Sequence, residues 1–206
     1  MPLIDLVFPV KGDRVPLDHG YTLYAALTRL VPQLHEHPKV AIHPIRGQAA
    51  GEGNLILNDR SRLTFRIPAE RIPEFLSLAG QRLDLDGQPL HIGVPQVLAL
   101  KPTANLAAHM VTIKGFMEPE GFLEAARRQL DALDISREAI VGIPQAEEGR
   151  PDEGEPIRRV LRIKDKTIVG FAVQVSGLTA EESLSLQEHG IGGRRHMGCG
   201  VFVPFA

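Results

Sequence analysis

Twice along this 206-residue chain the same order of elements can be read: strand, helix, strand, strand, helix, strand. In the first half, Leu3–Val10 is an apolar run with one acidic break, a first strand. From Tyr21 to Leu34, Leu23, Ala26, Leu27, Leu30 and Val31 fall at helical spacing, with Asp18 placed to cap the helix and Pro32 to end or kink it. Val40–Ile45 reads as a strand, and Asn54–Leu57 with Arg62–Ile67 as a hairpin whose second arm alternates apolar and polar residues. Pro68 opens a helix over Ala69–Ala79 that Gly80 stops, and Leu83–Leu85 and Leu90–Leu100 supply closing strands. Past Lys101-Pro102-Thr103 the order repeats: strand Ala107–Phe116, helix Pro119–Leu133, strand Ala139–Ile143, then a long strand pair Ile157–Ser176 turning at Lys164-Asp165-Lys166. Thr179 caps the helix Ala180–His189 with Glu182 at the capping-box position, and Val201–Phe205 is a last strand. Identity between the halves is negligible, so the repeat rests on element order alone. The expected fold is α+β: two tandem ferredoxin-like βαββαβ domains, residues 1–101 and 102–206.

The length suits two domains of about 100 residues each. Hydrophobic residues make up 43% of the chain, yet no run approaches the roughly 20 apolar residues of a membrane span. Asp5 interrupts the first apolar run, so no export signal is legible and a cytoplasmic protein, away from membranes, is expected. One cysteine, Cys199, rules out an intrachain disulfide and a cysteine-based zinc site. A net charge of −2 neither marks nor excludes a nucleic-acid binder, because clustering of basic residues on one face decides that.

Gly190–Gly200 reads Gly-Ile-Gly-Gly-Arg-Arg-His-Met-Gly-Cys-Gly, five glycines in eleven residues. Such a backbone can enter φ > 0, and consecutive N–H groups left free in it form an anion-binding concavity. Arg194 and Arg195 add guanidinium groups suited to a phosphate. The loop lacks Gly-Lys-Ser/Thr and leads into a strand, which argues against a nucleoside triphosphate. Arg158, Arg159, Arg162, Lys164 and Lys166 stud the long strand pair. Arg60, Arg62 and Arg66 also fit an ordinary solvated strand face.

Of eight histidines, four (His19, His35, His37 and His43) flank the first helix. His35-Glu36-His37 has i, i+2 spacing, unlike the i, i+4 pair of a zinc helix, and no metal or other cofactor is expected. No nucleophile elbow and no paired acidic motif occurs. Acid–base chemistry by an imidazole with a pKa of about 6.5 remains. Taken singly, each histidine also fits a structural role. A histidine base, a phosphate-gripping loop and a basic strand pair together fit RNA cleavage by the neighbouring 2′-OH, which yields a 2′,3′-cyclic phosphate and a 5′-OH.

Two stretches resemble a known family, the CRISPR-associated repeat-cleaving endoribonucleases, the sixth Cas family, in its myxobacterial-subtype branch. Gly190–Gly200 with Val201-Phe202-Val203 is similar to that family's glycine-rich loop and final strand. Val15–Tyr21, Leu34-His35-Glu36 and Pro38-Lys39 are similar to its first loop and helix. The resemblance implies paired ferredoxin-like domains and metal-independent cutting of pre-crRNA 3′ of a hairpin. It also implies retention of the crRNA, with other effector subunits as partners; a non-catalytic crRNA-binding subunit is the alternative. By position His35 matches the family's histidine and Lys39 its lysine. Thr28 stands at the tyrosine's place, with Tyr24 one turn earlier, and His19, His37 and His43 remain alternatives to His35. For RNA contact the resemblance points to Gly190, Gly192, Gly193, Arg194, Arg195, His196, Gly198 and Gly200, and to Arg158, Arg159, Arg162 and Lys164.

Overall fold

The computed structural model describes residues 2–37, 40–51, 53–148 and 152–205. The chain divides into two compact units, Met1–Leu100 with His196–Gly198, and Lys101–Arg195 with Cys199–Ala206. Each unit has its own cluster of buried apolar side chains. Among the described residues no helix is long and apolar enough to cross a membrane.

The first unit is built on β1 (Leu3–Lys11), whose Ile4, Leu6, Phe8 and Val10 are buried on one face. Strand β2 (Arg14–Pro16) leads to α1 (Gly20–Leu30), which turns Leu23, Ala26 and Leu27 inward. Helix α1 ends before Pro32, whose ring would clash with the carbonyl four residues back. The chain continues as a 3₁₀ turn, Pro32–Glu36, in which only Leu34 is buried. Asp18 is not the cap: His19 holds the N-cap position and makes no capping bond from its side chain. Strand β3 is only Ala41–Ile42. Next come β4 (Gln48–Ala50), β5 (Asn54–Ile56) and β6 (Arg62–Pro68).

The expected hairpin between Asn54–Leu57 and Arg62–Ile67 does not form. Strand β5 pairs instead with β2 and β4 in a small three-stranded sheet, and β6 lies along β1 with Ile4 opposite Ile67 and Phe8 opposite Leu63. The buried Ser61 hydroxyl, donating to the Arg46 carbonyl at 2.7 Å, ties the intervening turn down away from hairpin geometry. The second helix is broken as well, into 3₁₀ turns at Ala69–Arg71 and Leu76–Leu78 around a short α2 (Ile72–Phe75). A helix begun at Ala69 would need an N–H from Pro73, which has none; starting at Ile72 puts the proline in the first turn.

Strands β7 (Arg82–Leu85) and β8 (Gln88–Ile92) form a two-residue hairpin in which Asp86 and Gly87 both have positive φ, as a primed turn requires. Pro95 then separates β9 (Gln96–Ala99), so the single strand expected over Leu90–Leu100 is two. Strand β9 pairs with β1, Ile4 opposite Ala99. The spatial order β3-β6-β1-β9 is the ferredoxin-like order second, third, first, fourth, with β7–β8 an added hairpin joining β1 at Val10 and Ile92.

The second unit repeats that order more plainly. Strand β10 (Asn105–Val111), α3 (Pro119–Asp131), β11 (Ile140–Gly142), β12 (Arg158–Ile163), β13 (Lys166–Ser176), α4 (Ala180–His189) and β14 (Phe202–Pro204) follow in sequence. The sheet runs β11-β13-β10-β14, and β12 folds back on β13 through the two-residue turn Lys164-Asp165. Helix α3 buries Phe122, Ala125, Ala126 and Leu130. The capping box of α4 forms as expected: Thr179 Oγ1 accepts from Glu182 N–H at 3.3 Å, and the Glu182 carboxylate accepts from Thr179 N–H at 2.8 Å. The molecule is thus an α+β chain of two ferredoxin-like domains.

Candidate functional site

The segment after α1 carries the histidines. His35 projects from the 3₁₀ turn with 59% of its side chain exposed, 3.8 Å from the Glu36 carboxylate. His37 follows, with only 18% of its side chain exposed. Its Nε2 is in contact with Arg71 Nη1 and lies 3.5 Å from Glu74. Arg71 in turn donates to both Glu74 oxygens at 3.1 and 3.2 Å. Lys39 lies outside the described residues.

Residues 196–198 of the glycine-rich stretch pack with this first unit. The His196 ring stacks on Tyr24, with centroids 5.7 Å apart and planes 8° from parallel. Its Nε2 donates to the His37 carbonyl at 2.8 Å. Tyr24, His37 and His196 therefore meet in one place, with His35 two residues from the hydrogen-bonded carbonyl. Sequence reasoning missed Arg71 and Glu74, and it missed the link from His196 to His37. Their spacing along the chain carries no trace of that contact.

His19 and His43 are held differently. His19 is 4% exposed; its Nδ1–H donates to Pro16 O at 2.9 Å and its Nε2 accepts from Ile45 N–H at 2.9 Å. Both ring nitrogens are thus occupied in joining the end of β2 to Ile45, and burial pushes the ring's pKa down. His43 sits beside the Asp5–Arg66 pair, with Nε2 3.4 Å from Asp5 Oδ1. Burial pushes its pKa down against the opposing pull of Asp5. Arg66 is not on a solvated face: it is 1% exposed and grips Asp5 bidentately at 2.8 and 2.9 Å. Burial alone would raise the Asp5 carboxyl, but the neighbouring His43 and the Arg66 guanidinium hold it well below the usual carboxylate range.

In the second unit the glycine loop is less open than its composition suggests. The N–H groups of Gly190, Gly192, Gly193, Cys199 and Gly200 donate to Leu186 O, Gln129 Oε1, Thr112 O, Arg194 O and Met110 O. They do not form a free anion cradle. Gly190 and Gly200 have φ of 61° and 65°, and a Cβ on either would fall on main-chain oxygen of the other limb, so the two limbs cross at backbone contact. Arg195 donates to the Glu188 and Gln187 carbonyls at 2.8 and 3.4 Å and so closes the C-terminus of α4. Arg194, at φ 64°, is exposed. Along the β12–β13 hairpin, Arg158, Arg162 and Lys164 are exposed while Arg159 is half-buried. Arg158 and Arg162 share one face of β12 by the two-residue period. Among the described residues no group of three or more His, Cys, Asp or Glu side chains is placed to hold a metal ion.

Comparison with known proteins adds independent information. A family model described as Cas6 Crispr matches residues 4–206. The CRISPR-associated endonuclease Cas6 of Myxococcus xanthus (strain DK1622) is 40% identical over 204 residues, covering 99% of this chain and 82% of the relative. Among solved structures, that of a Cas6-related gene from Pyrococcus furiosus superposes with a TM-score of 0.67 at 14% identity over 98% of each chain. A structure described as an RAMP protein binding different RNA substrates gives a TM-score of 0.66 at 12% identity, covering 97% of this chain and 98% of that one. At such identities these two structures speak to fold.

Proposed function

The chain belongs to the Cas6 family, and on that footing we propose that it is a metal-independent endoribonuclease that cuts CRISPR repeat RNA 3′ of a hairpin and keeps the crRNA. The observation that carries this reading is the histidine turn. An exposed imidazole, His35, stands two residues before a carbonyl anchored by His196, itself stacked on Tyr24. The 40% identity to a named endonuclease across nearly the whole chain supports it.

In the proposed reaction His35 takes the proton of the ribose 2′-OH. The 2′-oxygen forms a bond to phosphorus as the P–O5′ bond breaks, and a proton returns to the departing 5′-oxygen. The products are a 2′,3′-cyclic phosphate and a 5′-OH. Lys39 is assigned to the charge that builds on the phosphoryl oxygens, and Tyr24 to proton donation or orientation at the leaving group. Acid–base assistance of this kind supplies roughly 10²–10⁴-fold, and the remainder comes from positioning and charge stabilisation. Arg158, Arg162, Lys164 and Arg194 are the cations that hold the RNA backbone. His19 and His43 are assigned structural roles on the contacts described above.

Repeat RNA carrying a single 2′-deoxy residue at the scissile position tests the mechanism. The protein should bind it and leave it intact, while cutting the all-ribose repeat equally in EDTA and in magnesium. Cutting of the deoxy substrate, or dependence on magnesium, sinks the mechanism. Binding without cutting of either RNA marks a non-catalytic crRNA-binding subunit instead. His35→Ala should lower the rate by roughly 10²-fold or more with little loss of affinity. Unchanged cutting removes His35 from the site and directs attention to His37.

A further inference from the structure

One acceptor in the first unit serves two donors. The His37 carbonyl oxygen receives Val40 N–H at 3.1 Å and His196 Nε2 at 2.8 Å. A carbonyl has two lone pairs and no proton to give, so His196 must carry its proton on Nε2, whether the ring is neutral or charged. The plane of the ring is set by Tyr24, which stacks on it and rides on α1 through the buried Leu23, Ala26 and Leu27. Two residues further on, Gly198 has φ 83°, and a Cβ there would lie 3.4 Å from Pro44. Residues 196–198 thus touch the chain at His37 and again at Pro44, on both sides of the stretch that follows His35.

We propose that His196 is a positioning residue for the histidine turn rather than a contact to RNA: it holds the His37 carbonyl and thereby fixes where the His35 ring stands. The proposal rests on the cleavage reading above. A general base must come within about 2.6–3.2 Å of the oxygen whose proton it removes. A misplacement of about 1 Å costs on the order of 10²-fold in rate. Among the described residues the turn has few other anchors: Leu34 is its only buried residue, and the partners of the His37 side chain, Arg71 and Glu74, are themselves partly exposed. A donor to the main chain at its end therefore has a large lever on the base.

The test compares wild type, His196→Ala and His196→Gln by single-turnover cleavage of the repeat RNA at saturation and by affinity for the 2′-deoxy repeat. The alanine variant should cut about 10–100-fold more slowly, with affinity within about threefold of wild type. Glutamine places an amide N–H₂ at a similar reach and should restore most of the rate. Three results overturn the proposal: an alanine rate within about threefold of wild type, a loss confined to affinity as an RNA contact would give, or a glutamine variant as slow as alanine. A second measurement needs no RNA. The Val40 amide donates to the carbonyl that His196 is proposed to hold in place, so loosening of that carbonyl in His196→Ala should quicken its hydrogen exchange by about tenfold while core amides such as Leu6 and Phe65 hold steady. Unchanged Val40 exchange overturns the clamp. If wild type binds repeat RNA and does not cut it, the enzyme reading falls, and Val40 exchange alone then decides whether the clamp exists.

Discussion

Asp5 and Arg66 face each other across β1 and β6, and the ion pair they make holds Arg66 at 1% exposure. His43 and His19 are also held away from water in that unit. Both histidines have their pKa pushed down by burial, so the unfolded chain takes up protons near pH 6.5 that the folded chain refuses. Their contribution is intact above about pH 6.5 and erodes as pH falls below it, by up to about 1.4 kcal/mol per pH unit for each group. Asp5 acts in the same direction at lower pH: its depressed carboxyl stabilises the fold above the unfolded value of about 3.9 and loses that effect on further acidification. Thermal melts from pH 7.5 down to 5 should show a falling midpoint, and His19→Gln should flatten the slope while lowering the midpoint overall. A midpoint level or rising toward pH 5 contradicts the buried neutral assignment.

At the scale of elements, the glycine loop and the broken helix illustrate what pattern reading can and cannot supply. Thr179 and Glu182 announced α4 because both halves of a capping box lie within four residues. Pro32 announced the end of α1 for the same local reason. The small sheet β2-β5-β4 was illegible, since strands of three residues joined across some 40 positions leave no periodicity to detect. Arg195 looked like a phosphate ligand because nothing in sequence shows that the last carbonyls of α4 lie within its reach. The loop's glycines separate into two kinds. Gly190→Ala puts a Cβ onto backbone at positive φ and should cost about 1–3 kcal/mol in urea unfolding. Gly193 has open space where its Cβ would go, so Gly193→Ala should stay within about 0.5 kcal/mol of wild type. Equal losses at the two positions would refute the crossing.

For the whole molecule, element order was readable and the candidate site only in part. The strands and helices of a βαββαβ unit are local, and their order limits the topology to few choices. His35 and Tyr24, the proposed site residues, lie on local elements, so the sequence alone could put them forward. The tie between residue 37 and residue 196 spans 159 positions and had no local sign. The chain carries a net charge of −2, so the RNA binding we propose has to draw on a local patch and not on overall charge. The face of β12 bearing the exposed Arg158 and Arg162 is the patch we propose. Replacing both by alanine should weaken repeat RNA uniformly across sequences and lower the slope of log K against log salt by about two. A slope that does not move would take that strand face out of the interface.

The crossing of residues 190 and 200 has an evolutionary corollary. Where two side chains collide, a smaller neighbour can absorb an enlargement, and the pair can drift together. Here each position is blocked by carbonyl oxygen of the opposite limb, which no mutation can shrink. Descendants that keep this crossover are therefore bound to keep both glycines, whereas position 193 between them is at liberty to wander.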